Sequence, residues 1–336
     1  METRKKLAVI GGILVLLHIC ANAMELDSPQ ALLRTLVTDT SLIERSVSME
    51  LTGFLADNSP DSTPTVTSAP VPEATAPPEP APTVSPLILE TVVGGGITID
   101  NKTDYTVDTA KLLTEGPSLQ LQKGKPQILI IHTHSSEAYT MDDFDRYEAS
   151  DDSRTQDLNY NIIRVGDELT EALRDCGLEV IHDREIYDYP SYAGSYTRAG
   201  EAIEQYLAKY PSIAIVIDVH RDAIGSGDVV YKTLAEGENN PCAQTMFVVG
   251  TNASGLEHPD WKENLKLALY LQSAVYTQHP TLQRPVKLVS ERYNQQLTTG
   301  SLILEVGSNG NTLQEALNAI RLFGKSAGPA LAKLIQ

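Results

Sequence analysis

Cysteine, tryptophan and basic residues are all scarce in this sequence, and each shortage removes a class of function. The three cysteines are Cys20, inside an apolar run, Cys176, on a predicted helix, and Cys242, in a predicted turn. They cannot build a cysteine metal site, and nothing in the spacing of the last two demands a disulfide. A domain of this size buries enough apolar surface to fold without one. Lys and Arg number 26 against 44 Asp and Glu, a net charge of −18. The chain therefore lacks the clustered cations by which proteins hold nucleic acid or anionic head groups. Two catalytic patterns are missing as well, H-E-x-x-H and G-x-S-x-G. The triplet Gly324, Lys325, Ser326 mimics the end of a phosphate loop, but Ala319 stands where that loop needs its first glycine.

What remains is an ordinary globular composition carried behind an export signal. Arg4, Lys5 and Lys6 precede an apolar run over 7–20, and Ala21, Asn22 and Ala23 have the small-x-small form of a cleavage site. Residues 1–6 are expected to be a cytoplasmic basic stub. Residues 7–23 are either a retained transmembrane anchor or a cleaved signal peptide, and the chain beyond them is expected outside the cytoplasm in both cases. Leu32, Leu33, Leu36, Leu42 and Ile43 recur at near-helical spacing, which predicts a short membrane-proximal helix within 24–55. Nine of the 19 prolines then fall between 56 and 86, without a single Lys or Arg. Such a segment cannot bury a core, so 56–88 reads as an extended linker.

From residue 89 the chain alternates between apolar strands and amphipathic helices, predicting one catalytic domain over 89–336. Strands are expected at 127–131, 178–181, 213–219, 245–250, 286–289 and 301–306. Helices are expected at 161–176, 196–209, 261–278 and 313–334, and a Gly-rich turn at 94–96 separates two further candidate strands. This rhythm is that of an α/β domain with a central mixed, largely parallel sheet covered by helices.

The polar residues that interrupt this pattern cluster at strand ends. His132, His134 and Glu137 come directly after the strand at 127–131, where crevices form in open α/β sheets and where imidazoles and a carboxylate can converge on one ion. A lone pair of histidines at a strand end is more often a core or capping feature than a ligand pair. The second cluster, Asp218, His220, Arg221 and Asp222, closes another apolar run, where charge is costly unless it is paired or serves a site. Three of the seven histidines thus lie at two strand ends. Glu305 is the third element. By strand alternation it shares a face with Ser301 and Ile303, a setting that raises a carboxyl pKa and suits a general base and acid. Its bland alternative is an ion pair with Arg221 or Arg292. Two histidines, one or two carboxylates and no cysteine describe a catalytic Zn2+ with a position open for water, and hence amide hydrolysis.

Taken together, segments 128–139 (ILIIHTHSSEAY), 161–166 (NIIRVG), 192–198 (YAGSYTR), 217–222 (IDVHRD), 248–250 (VVG), 293–297 (YNQQL) and 304–307 (LEVG) resemble the stage II sporulation protein P family. That family is related to the zinc-dependent N-acetylmuramoyl-L-alanine amidases. The resemblance implies an amidase-like fold with His134, Glu137 and His220 as metal ligands and Glu305 as the catalytic carboxylate. Asp157 is the alternative third ligand, and His132 either supports the site or binds metal. Arg221 and Asp222 are additional candidates. The implied activity is removal of stem peptides from peptidoglycan, with cross-link endopeptidase action at the same or another site, during forespore engulfment. The implied partners are stage II sporulation proteins D and M. The implied location is the mother-cell membrane facing the forespore, unless the signal is cleaved and the protein exported.

Two other classes remain open from the sequence alone. A different metal-dependent hydrolase, a phosphoesterase or amidohydrolase, also uses an H-x-H after its first strand, though it needs further His and Asp ligands. A non-catalytic wall-binding scaffold would keep the fold without needing Glu305.

Overall fold

The computed structural model describes residues 87–336 except 92, 94, 95, 227 and 228. The stub, the anchor or signal, the membrane-proximal helix and the linker up to residue 86 lie outside the described residues. Among the described residues no helix is long and apolar enough to cross a membrane.

The first strands are β1 (Leu87–Thr91), β2 (Ile99–Asn101), β3 (Ile128–Ile131), β4 (Val180–His182) and β5 (Ile215–Asp222). After them come β6 (Gly225–Ser226), β7 (Val229–Thr233), β8 (Thr245–Gly250), β9 (Val286–Val289) and β10 (Gly300–Ser308). The helices are α1 (Thr109–Glu115), α2 (Ile162–Arg174), α3 (Ser195–Lys209), α4 (Trp261–Gln278) and α5 (Leu313–Ala332). Seven strands make the main sheet, in the order β2-β9-β8-β10-β5-β3-β4. All neighbours run parallel except β8 and β10, which join two parallel blocks back to back. The mixed, largely parallel sheet is thus as expected from the strand and helix alternation. A second sheet, β1-β7-β6, was not legible, because its strands are short and none alternates between buried and exposed residues.

Alternation along each strand divides the core in two. Ile128 and Ile130 of β3, Ile215 and Ile217 of β5, and Leu302 and Leu304 of β10 share one core with Leu169 and Leu173 of α2, Leu265 of α4 and Phe323 of α5. Each such side chain, taken fully out of water, contributes about 1.5–3 kcal/mol. On the opposite face Leu129, Ile131 and Val216 pack against Ala199 and Ile203 of α3. Met246, Val248, Val289 and Ile303 form a separate, smaller cluster with Tyr293.

Local chemistry fixes the helix starts. The Asn161 side chain accepts from Ile163 N at 3.0 Å to cap α2, and Thr312 and Glu315 form a reciprocal capping box on α5. Cys176, just past α2, and the buried Cys242 are both free, so no disulfide joins them.

Candidate metal centre and catalytic carboxylate

Three strands of the parallel block bring the candidate residues to one end of the sheet. β3 runs directly into the turn that carries His132, His134 and Glu137, β5 supplies Asp218 and His220, and β10 supplies Glu305. In the β5–β10 register His220 lies opposite Glu305. Beyond Glu305 the pairing shifts before Ser308, and Gly307 adopts φ +67°; a Cβ there would sit 2.9 Å from Asn311 Oδ1. That position needs glycine.

The turn after β3 is braced by hydrogen bonds rather than by apolar packing. Thr133 donates through N and Oγ1 to Asp218, at 2.8 and 2.6 Å, and Ser136 does the same to Asp188, at 3.0 and 2.7 Å. Arg154 Nη1 also donates to Asp188, at 2.6 Å. Buried polar groups held on both sides in this way fix the loop that presents His134 and Glu137.

His134 and His220 meet edge to face, with ring centroids 5.3 Å apart. Burial pushes the His134 imidazole down to about 3, so it is neutral and able to donate a lone pair. Its Nε2 shares a hydrogen bond of 3.0 Å with the Tyr192 hydroxyl, and Nδ1 lies 3.3 Å from Ser195 Oγ. Tyr192 stacks on the same ring at 4.4 Å. Burial opposes a charge on His220 as well, but Asp218 and Glu137 on either side outweigh it and raise that imidazole well above its ordinary value. Its Nε2 is 2.9 Å from Asp218 Oδ1, an ion-pair contact. Its Nδ1 is 3.6 Å from Glu137 Oε2. Glu137 is buried, which by itself would raise its pKa, but Arg221, His220 and His134 together hold its carboxyl well below the usual range.

Glu305 behaves in the opposite way. Burial first, and the neighbouring Asp222 second, push its carboxyl up to about 8. Its Oε2 is shut off from solvent and has no hydrogen-bond partner among the described residues. The arginine pairing considered from sequence is not formed. Arg221 turns to Glu137, Ala138 O and Ser153 O, and Arg292 Nη1 donates to Glu257 O.

These donors fit zinc in type: two imidazoles and a carboxylate, buried together, with one ring nitrogen of His220 making no hydrogen bond. They are not closed around a single point, and among the described residues no group of three or more His, Cys, Asp or Glu is arranged to hold an ion. A metal bound through His134 Nε2 would have to displace the Tyr192 hydroxyl, and one bound through His220 its proton.

A family model described as stage II sporulation protein P matches residues 85–326. The chain belongs to the stage II sporulation protein P family. The stage II sporulation protein P of Bacillus subtilis (strain 168) is 28% identical over 221 residues, covering 60% of this chain and half of that protein's length, 50%. Among solved structures, the N-acetylmuramyl-L-alanine amidase Ami1 from Mycobacterium smegmatis gives a TM-score of 0.36 at 12% identity, over 63% of this chain and 98% of that one. The CwlD amidase from Clostridioides difficile, in complex with the GerS lipoprotein, gives 0.33 at 13% identity, over 60% and 95%. Both structural likenesses are distant and carry no functional weight.

In this family member His134, Glu137, His220 and Glu305 lie at one end of the sheet, while two other candidates do not join them. His132 points away from the cluster. Its Nδ1 lies 2.9 Å from Val219 O and its Nε2 2.9 Å from His182 Nε2. Asp157 is exposed and accepts from Asn159, at 3.0 and 2.8 Å. Arg221 braces Glu137, and Asp222 pairs with Arg284 at 2.8 Å. Sequence reasoning assigned no role to Tyr192, Tyr196, Arg154 or Arg284. Tyr192 and Tyr196 lie in a segment that carried the family resemblance, and nothing in the spacing of Arg154 or Arg284 marks them.

Proposed function

We propose that the chain is a zinc-dependent peptidoglycan hydrolase acting in sporulation, an N-acetylmuramoyl-L-alanine amidase that releases stem peptides from glycan strands. The observation that carries this reading is the pairing of an unpartnered, raised Glu305 carboxyl with a buried His134, Glu137 and His220 cluster, in a member of this family. His134, Glu137 and His220 would hold Zn2+, which polarises a scissile carbonyl and acidifies a water.

Glu305 Oε2 is the proton carrier. A carboxyl with a pKa about 8 sits close enough to working pH to take a proton from an attacking water and return it to a leaving amine. Asp218 contacts both the His220 ring and Thr133, and so links the strand that carries His220 to the loop after β3. Arg221, with His220 and His134, holds Glu137 ionised, the form a ligand requires. The exported orientation expected from residues 1–23 would place this site on the wall side of the membrane, where proteins D and M are the expected partners.

The test is incubation of the purified full chain with peptidoglycan, with chelator and with zinc restored, and identification of the products by mass spectrometry. Free stem peptides that vanish with chelator and return with zinc support the reading. Intact wall with zinc bound would favour the wall-binding scaffold, and two metal equivalents per chain the dinuclear hydrolase.

A further inference from the structure

Tyr196, on the first turn of α3, sets its ring among the candidate histidines. It stacks with His220, planes 12° apart and centroids 6.5 Å apart, lies edge-on to His134 at 5.4 Å, and meets the Tyr293 ring at 5.3 Å. The packing is held from behind. Tyr293 and Asn294 both take left-handed backbone, φ 48° and 60°, which residues other than glycine keep only where their surroundings enforce it. Asn294 Nδ2 donates to Tyr196 O at 2.7 Å, and Asn294 Oδ1 lies against Gly200, where a Cβ would sit 3.0 Å from it. A ring fixed in this way loses little freedom when its hydroxyl meets a ligand.

The hydroxyls of the neighbouring segments are committed. Tyr192 shares its hydrogen bond with His134 Nε2, Ser195 Oγ lies 3.3 Å from His134 Nδ1, Thr133 Oγ1 donates to Asp218, and Ser136 Oγ donates to Asp188. The Tyr196 hydroxyl makes no hydrogen bond among the described residues, and unlike Glu305 Oε2 it is not closed to solvent. Tyr196 itself is half-buried. Its hydroxyl lies at the reacting end of the sheet, within electrostatic reach of Asp218 and Glu305. Burial first, then Asp218, Tyr293 and Glu305, raise it well above its ordinary value, and a phenol that keeps its proton is a hydrogen-bond donor.

We propose that Tyr196 is a further catalytic residue, whose hydroxyl donates a hydrogen bond to the oxygen of the scissile carbonyl as that oxygen takes on negative charge. The assignment rests on the amidase reading and divides the work of that site: Glu305 carries the proton, and Tyr196 meets the developing charge. The water oxygen bonds to the carbonyl carbon, its proton passes to ionised Glu305, and the π pair of the carbonyl moves onto the oxygen that Tyr196 faces. When that pair returns, the C–N bond breaks and the amine leaves with the proton from Glu305. Tyr196 keeps its own proton throughout.

The experiment is Tyr196→Phe in the full, zinc-loaded chain, which keeps the ring and removes only the hydroxyl. With a soluble muropeptide, kcat should fall by roughly a hundredfold to a thousandfold, the range for loss of one oxyanion donor, while KM stays within about threefold of the parent. Zinc content should be unchanged, and denaturant unfolding should find the variant no less stable, because a hydroxyl without a partner contributes nothing to the fold. An uncleavable phosphinate analogue, tetrahedral where the amide is flat, should bind the variant at least about tenfold more weakly in calorimetry. Parent kcat, or equal phosphinate affinity, in the variant overturns the proposal and leaves the amidase reading standing. Loss of zinc or of stability together with kcat overturns it as well, by making the hydroxyl a structural group. Absence of stem-peptide release by the zinc-loaded parent removes the amidase reading and this role with it, so the parent alone tells the two failures apart.

Discussion

Glu305 and His220 stand opposite each other on adjacent parallel strands, and different surroundings leave each of them holding a proton. The carboxyl is raised to about 8, chiefly by burial, and the imidazole is raised by Asp218 and Glu137 against its own burial. On the proposed reading, a bound cation would have to displace the charge that Asp218 and Glu137 favour on His220, with the raised Glu305 carboxyl beside it.

If His134 holds zinc as proposed, Tyr192 would compete with the ion for it. Its hydroxyl shares a 3.0 Å hydrogen bond with Nε2, which a metal ligand must give up. Tyr192→Phe keeps the stacked ring and removes the hydroxyl, so zinc should bind about fivefold tighter, as expected for loss of one hydrogen bond worth about 1 kcal/mol. Chelator competition measures it, and unchanged or weaker affinity would count against His134 Nε2 as the ligating atom.

Gly166 gives way to the two rings behind the site. A Cβ there would lie 2.5 Å from His132 Nε2 and 2.6 Å from His182 Nε2, two rings joined by their own contact. Gly166→Ala should cost about 1–3 kcal/mol in denaturant unfolding. A neutral substitution would mean that the His132–His182 pair yields without strain.

The sheet and its main helices were legible because apolar periodicity records burial on each face, as in the run at β5 or the stripe of Ile162, Val165, Leu169 and Leu173. His134, His220 and Glu305 were legible for the converse reason: they are polar residues at the ends of strands that are otherwise apolar. Arg154 and Arg284 were not, since each reaches its partner from a loop or strand edge, Asp188 and Asp222 respectively, and long-range pairing leaves no local pattern. The contacts of His132 with Val219 O and His182 were not legible because the sequence cannot say to which side of the turn its ring points. The three-stranded sheet escaped because β6 is two residues long.

His258 makes the fold sensitive to acid. It is 1% exposed, both ring nitrogens lack a partner among the described residues, and burial, aided by Arg292, lowers it to about 4 from 6.5. Between those values the unfolded chain binds a proton that the folded chain does not, so stability is complete above about 6.5 and is lost as pH falls toward 4. His258→Gln should flatten that part of the pH profile in chemical denaturation. An unchanged slope would assign the acid sensitivity elsewhere.

The measurement that bears most directly on the central claim pairs zinc content with turnover in the full-length Glu305→Gln variant. The amide keeps the shape and the neutral state of the Glu305 side chain but cannot carry the proton. We expect one zinc per chain, an unchanged fold by circular dichroism and a loss of stem-peptide release of at least about a hundredfold, in the range for removal of a general base. Release at the parent rate with zinc still bound would contradict the assignment of Glu305 as the proton carrier, and with it the mechanism built on the His134, Glu137 and His220 site.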